Sequence, residues 1–281
     1  IPLGGVEEIG MNINLYGYNG SWVVLDVGMT FSDTPGVDVI VPDIEFLKEI
    51  KVDAIIFTHA HEDHIGAVPY LWSKLHAPLY GTQFTMEMIR MKMQNIGLAN
   101  ELTLNTIKLE SKFVIGPFEF EFINITHSIP EASMIFIRTP KGGILHTGDW
   151  KLDPDPVIGH KSSLNKIKAV GREGVTAMVC DSTNTFEEGR SGSEGKIRDS
   201  LSDFIGKTDP KQQIVVTCFA SNVARLKACL EAAKKYDRIV AVSGRSLKNM
   251  ERISRMFGYL DKDMEILDDM KVSSTKKKER G

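Results

Sequence analysis

The run Thr58-His59-Ala60-His61-Glu62-Asp63-His64 places three imidazoles and the Asp63 carboxylate within six positions. Borderline-soft imidazole and hard carboxylate are the donor mixture that suits Zn²⁺. On an extended chain, His59 and His61 alternate and can point to one side, while Asp63 and His64 turn toward a neighbouring position. That spacing fits two adjacent metals better than one. Two close metals can hold a hydroxide and drive a hydrolytic displacement. A ligand-free, His-rich surface loop is the bland alternative, and the regular spacing counts against it.

The elements that must carry these residues are short apolar strands, and each stops at a group able to bind a metal or carry a proton. Val23-Val24-Leu25 stops at Asp26, and Ile55-Ile56-Phe57 at Thr58 and His59. Phe120 to Ile125 stops at Thr126-His127, Ile144-Leu145 runs on to Gly148-Asp149, and Met178-Val179-Cys180 stops at Asp181. Any one of these is an ordinary strand end, where Asp is common. Together they predict strand ends converging on one site, in sheets packed face to face and flanked by helices.

Asn19-Gly20 lies between Asn12 to Tyr18 and Ser21 to Asp26, which predicts a two-residue hairpin. Helices are expected over Ile44 to Ile50, Ile65 to Leu75 and Phe84 to Gln94, the last with Met86, Met88, Met91 and Met93 filling the core. Pro140-Lys141-Gly142-Gly143 predicts a second hairpin. The style changes near Arg190. Ser191-Gly192-Ser193-Glu194 has the S-x-x-E capping pattern ahead of a helix over Ile197 to Ile205. Two strand-then-helix units follow: Ile214 to Cys218 with Val223 to Lys234, and Arg238 to Val242 with Leu247 to Phe257. Consecutive units of this kind predict a parallel, Rossmann-like sheet. Residues 1–190 thus form one expected domain, 191–260 part of another, and 261–281 a charged, solvated tail ending in Lys276-Lys277-Lys278-Glu279-Arg280.

Composition bounds the rest. The 281 residues are 42% hydrophobic and 25% charged, ordinary for a globular chain with a core. A net charge of −3 gives no global attraction to nucleic acid, so any such binding needs a local basic groove. Cys180, Cys218 and Cys229 have neither metal spacing nor a disulfide framework, which predicts a reducing compartment; Cys180 and Cys218 are expected to be small buried hydrophobes. No apolar run approaches the ~18 residues of a membrane span.

Asp26, His59-x-His61-x-Asp63-His64, His127 and Asp149, in that order, resemble the metallo-β-lactamase fold family. Thr126-His127-Ser128-Ile129-Pro130-Glu131, His146-Thr147-Gly148-Asp149-Trp150-Lys151, Asp181-Ser182-Thr183-Asn184, Phe219-Ala220-Ser221-Asn222 and Ser243-Gly244-Arg245-Ser246 together resemble the ribonuclease J family. The resemblance covers about residues 1–260. It implies an α/β fold: a metallo-β-lactamase-like αββα sandwich, incomplete here, followed by part of a Rossmann-like β-CASP domain. It also implies a cytoplasmic, zinc-dependent ribonuclease with two ions, Mn or Mg being possible substitutes. Such enzymes cut single-stranded RNA endonucleolytically and degrade it 5′ to 3′ in rRNA processing and mRNA decay, as dimers or tetramers and with other RNA-decay proteins.

Carried over, His59, His61 and His127 hold the first metal, Asp63 and His64 the second, and Asp149 bridges. Asp26 supports the His loop by hydrogen bonding, and Asp181 matches an acidic β-CASP motif near the metals, so Asp63 and Asp181 are the expected catalytic carboxylates. Ser221 and Asn222, and Arg245 and Ser246, open helices whose free N–H groups attract anions, which with the resemblance favours RNA phosphate contact; simple helix capping is the alternative. The family carries two further His motifs downstream, whereas this sequence has no histidine after His160. The chain is therefore expected to be a fragment truncated within the β-CASP domain. The competing functions are a thioester or lactone hydrolase of the same fold, and a metal- and RNA-binding fragment without turnover.

Overall fold

The computed structural model describes residues 1–268. Its described residues divide into two compact units, one of residues 1–127, 131–152 and 162–188, the other of residues 128–130, 153–161 and 189–268.

The first unit is built on two sheets. Among the described residues, one runs in the order Pro2–Gly4, Ile13–Tyr18, Ser21–Leu25, Ala54–Ile56, Leu79–Gly81, Leu104–Thr106. The other runs Ala177–Val179, Gly142–His146, Ser133–Thr139, Phe118–Asn124, Lys112–Ile115. The Asn19-Gly20 hairpin forms as expected, both residues taking the positive φ (50° and 79°) that such a turn requires. Alternate residues of the two sheets meet in the core: Tyr16, Val23, Leu25, Ala54 and Ile56 face Phe118, Phe120, Phe122, Ile135 and Ile137. Each of the phenylalanines contributes about 1.5–3 kcal/mol by leaving water, so the core is a stiff platform for what stands at the strand ends.

Helix Leu164–Glu173 covers the far face of the second sheet through Val170, and helix Gln83–Gln94 packs on Leu79–Gly81 and Leu104–Thr106 of the first. The layering is the αββα sandwich. Met86, Met88, Met91 and Met93 are all buried, as core packing predicts.

Some local expectations are corrected. The segment near Ile44 is a 3-10 helix, Glu45–Glu49. The helix expected from Ile65 splits into Glu62–Ile65 and Val68–Leu75, so Asp63 and His64 are helical, not in a loop. Cys180 is exposed because it follows an edge strand with an open face, and Cys218 is only half-buried.

In the second unit, helix Glu194–Lys207 is capped by Ser193, whose side chain accepts from Gly195 N; Ser191 is not the cap. Ile214 to Cys218 is not a strand. Val215 is 77% exposed, and strand propensity without a partner does not make a strand. The other unit forms: Val240–Val242 leads into helix Arg245–Met256 and pairs in parallel with Ile266–Asp268. That last strand falls inside the expected tail; residues 269–281, with Lys276 to Arg280, lie outside the described residues.

Candidate metal centre

The centre lies within the first unit, at the ends of strands from both sheets. His59 follows Ala54–Ile56, His127 follows Phe118–Asn124, and Asp149 follows Gly142–His146. Asp63 and His64 come from the short helix Glu62–Ile65, with His61 at its N-cap. The Val27 to Met29 loop holds that helix by backbone bonds: Val27 N donates to His64 O (2.7 Å) and Met29 N to Glu62 O (3.1 Å). Gly28 makes this approach possible, since a Cβ there would fall 1.6 Å from Asp63 O.

Two ligand sets result. In the first, His59 Nε2 and His127 Nε2 lie 3.1 and 3.0 Å from His61 Nδ1, and 4.0 and 3.7 Å from Asp149 Oδ2. In the second, His64 Nε2 lies 3.3 Å from Asp63 Oδ2 and 3.1 Å from Asp149 Oδ1. Tetrahedral N/O ligation at about 2.0–2.2 Å separates neighbouring donors by roughly 3.3–3.6 Å, so both sets fit a divalent cation. Asp149 turns one oxygen to each set.

Burial lowers the pKa of His59 well below its usual value, lowers His61 to about 3 with help from His127, and lowers His127 as well. Three neutral imidazoles thus aim lone pairs at one point, an arrangement that a cation relieves. His64 goes the other way. Burial opposes its charge, but the Asp149 and Asp26 carboxylates raise it well above the usual value. Asp63 and Asp149 are both held low despite burial, Asp63 by the hydrogen bond from His64 and Asp149 by the charge of His64.

Asp26 is fully buried behind the ligands. Its Oδ1 accepts from Thr58 N (2.8 Å), and its Oδ2 from Thr58 Oγ1 (2.9 Å) and His64 Nδ1 (2.8 Å). With its proton committed to Asp26, Thr58 Oγ1 accepts from His59 Nδ1 at 3.0 Å. One carboxylate therefore holds a proton on His64 Nδ1 directly and on His59 Nδ1 through Thr58, so that His59 Nε2 offers a lone pair and His64 Nε2 would offer one once a cation displaced its proton. Thr58 stood inside the motif without an assigned role, although its place between strand end and first histidine was a usable signal. Asn12, whose Nδ2 donates to Asp63 O at 3.1 Å, had none.

Asp181 belongs to neither ligand set. Its charge acts on His127, its N–H donates to Thr147 Oγ1, and its Oδ1 accepts from Thr183. The remaining residues lie in the second unit. Asn222 caps helix Val223–Lys235 by accepting from Arg225 N at 2.8 Å, Ser221 precedes it, and Arg245 and Ser246 open helix Arg245–Met256 behind Gly244.

Residues 9–177 match the family model of the metallo-beta-lactamase superfamily, and residues 211–280 that of the ribonuclease J beta-CASP domain. Among curated proteins, the chain is 41% identical over 269 residues to a protein named Ribonuclease J from Sinorhizobium meliloti, covering 93% of this chain and 47% of that one. It is 39% identical to one of the same name from Thermus thermophilus, covering 92% and 47%. The chain thus spans about half the length of these relatives. Among solved structures, a protein of unknown function from Enterococcus faecalis superposes with a TM-score of 0.67 at 18% identity, over 95% of this chain and 72% of that one, a likeness of fold.

Proposed function

The chain belongs to the metallo-beta-lactamase superfamily, and from that premise we propose that its metal centre hydrolyses RNA phosphodiester bonds. The observation that carries the two-ion reading is Asp149, with Oδ1 toward His64 and Oδ2 toward the three-histidine set. RNA as the substrate is supported by the β-CASP match and by the name shared by the relatives. The same β-CASP match counts against a thioester or lactone hydrolase.

His59, His61 and His127 would hold the first ion and Asp63 and His64 the second, with Asp149 shared between the two sets; the imidazole-rich first set favours zinc over Mn or Mg. Bound divalent metal supplies Lewis acidity toward the phosphate oxygens and makes water a nucleophile at neutral pH. The protein's part is to fix the donors. Asp26 and Thr58 hold protons on His64 Nδ1 and His59 Nδ1, and Asp149 keeps the two sets in register. Asp181, whose charge acts on His127, is the carboxylate assigned to proton handling. Ser221, Asn222, Arg245 and Ser246, at helix starts, contact backbone phosphates of single-stranded RNA. The finer assignment is endonucleolytic and 5′-to-3′ exonucleolytic cleavage in the cytoplasm, by a dimer or tetramer working with RNA-decay proteins.

The test is cleavage of a 5′-monophosphorylated single-stranded RNA with and without Zn²⁺ or Mn²⁺, beside the Asp63→Ala/His64→Ala double variant. Metal-dependent cleavage lost in the variant is expected. A folded, metal-loaded chain that leaves RNA intact but opens a thioester or lactone would overturn the reading.

A further inference from the structure

Behind Asp26 lies a buried polar pair that the proposed reaction does not use. Tyr16 stands on strand Ile13–Tyr18 of one sheet, and His146 ends strand Gly142–His146 of the other. Tyr16 Oη is 2.9 Å from His146 Nδ1, bridging the sheets through the core, with the rings edge-on at 84°. The other ring nitrogen, His146 Nε2, lies 3.9 Å from Asp26 Oδ2. Both residues are buried, and deleting two hydrophobic side chains' worth of core for a Tyr–His pair needs a reason.

Hydrogen-bond arithmetic fixes the protons. Burial and the nearby Asp26 charge push the Tyr16 phenol up, so it keeps its proton; burial lowers His146 to about 4, so the ring is neutral. A neutral ring has one N–H and one lone pair. If Nδ1 carried the proton, it would donate to Tyr16, the phenol O–H would need another acceptor, and the Nε2 lone pair would face a carboxylate. The arrangement that fits best has Tyr16 O–H donating to Nδ1, which leaves the Nε2–H facing Asp26 Oδ2 at 3.9 Å, a charge–dipole contact longer than a hydrogen bond.

We propose that Tyr16 and His146 are positioning residues for the Asp63/His64/Asp149 ion: with its ring held by Tyr16, His146 turns an N–H dipole toward Asp26 at 3.9 Å and so favours the ionised carboxylate that aims His64 Nε2 at that ion. His64 Nδ1 bonds Asp26 directly at 2.8 Å, whereas His59 reaches it through Thr58 Oγ1, so the effect falls mainly on the second ion. The inference concerns metal occupancy and stands apart from the choice of RNA as substrate.

The experiment is a Zn²⁺ titration of the full chain against a chromophoric chelator, resolving both ions, with the Co²⁺ visible spectrum as a second readout and no RNA present. Tyr16→Phe should weaken the second ion roughly fivefold, less than the tenfold or more typical of groups hydrogen-bonded to a ligand, and leave the first within about twofold. His146→Leu should do the same. His146→Gln, whose amide can accept from Tyr16 and turn its N–H toward Asp26, should stay within about twofold of the parent. Unchanged affinities in Tyr16→Phe would overturn the proposal, and so would equal weakening of both ions, which marks general loosening of the core. If His146→Leu fails to fold, Tyr16→Phe and His146→Gln decide the matter alone.

Discussion

His64 sits between two carboxylates, with Nδ1 2.8 Å from Asp26 and Nε2 3.1 Å from Asp149, and without an ion it keeps a proton there. Its neighbours lack that support. His59 and His146 are buried, His61 and His127 half-buried, and all four titrate below 6.5, so below that pH the unfolded chain binds more protons than the folded one. Their stabilising contribution is complete above pH 6.5 and is lost on acidification, down to about 3 for His61 and about 4 for His146. His64 has the opposite sign: its contribution is present below 6.5 and fades as pH rises through its raised value. Four groups outweigh one, so the melting temperature of the metal-free protein should fall from pH 6.5 toward pH 4, each such histidine costing up to about 1.4 kcal/mol per pH unit. A flat profile in calorimetry would mean that these imidazoles are not held neutral. At this scale the clustered His and Asp residues were legible in the sequence, because dense His and Asp at strand ends is a local pattern. Tyr16 and Asn12 were not, because their partners lie 130 and 51 residues away and are supplied by the fold.

Short elements place the ligands, and the closest fit is the loop from Val27 to Met29 against helix Glu62–Ile65. Gly28→Ala would drive a methyl into Asp63 O and toward Asn12 N, backbone atoms that cannot swing aside. Such overpacking typically costs about 1–3 kcal/mol, and the urea midpoint should fall accordingly together with affinity for the second ion. Asn222 offers a cleaner separation of roles. Asn222→Asp keeps an oxygen for Arg225 N and so preserves the cap, while adding a negative charge. Thermal stability should hold, and RNA affinity should drop at low salt if the residue meets phosphate; unchanged affinity would leave capping as its whole task. Strands and helices with strong period were readable from sequence. The Ile214 to Cys218 run was misread because five β-prone residues state a preference, not a pairing. The cap moved from Ser191 to Ser193 because Ser193 also donates to Asp155 O, which sequence spacing does not show.

At the scale of the molecule, the sandwich and the metal centre belong to one compact unit, and the expected phosphate contacts belong to the other. The sandwich was legible because alternating apolar strands specify two faces, and the order of motifs indicated which strand ends bring the His and Asp residues together. The second unit was less so, because a parallel sheet is specified by distant pairings such as Val240–Val242 with Ile266–Asp268. What ties residue to fold to activity is the claim that Asp149, delivered by one sheet, bridges ions whose histidines come from both. The measurement that tests it most directly is metal content per folded chain after equilibrium dialysis against Zn²⁺, for the parent, Asp63→Ala/His64→Ala and Asp149→Ala. Two ions in the parent, one in the double variant, and weakened retention of both in Asp149→Ala are expected. A parent that holds a single ion, or an Asp149→Ala variant that keeps two with unchanged affinity, would contradict the bridged centre.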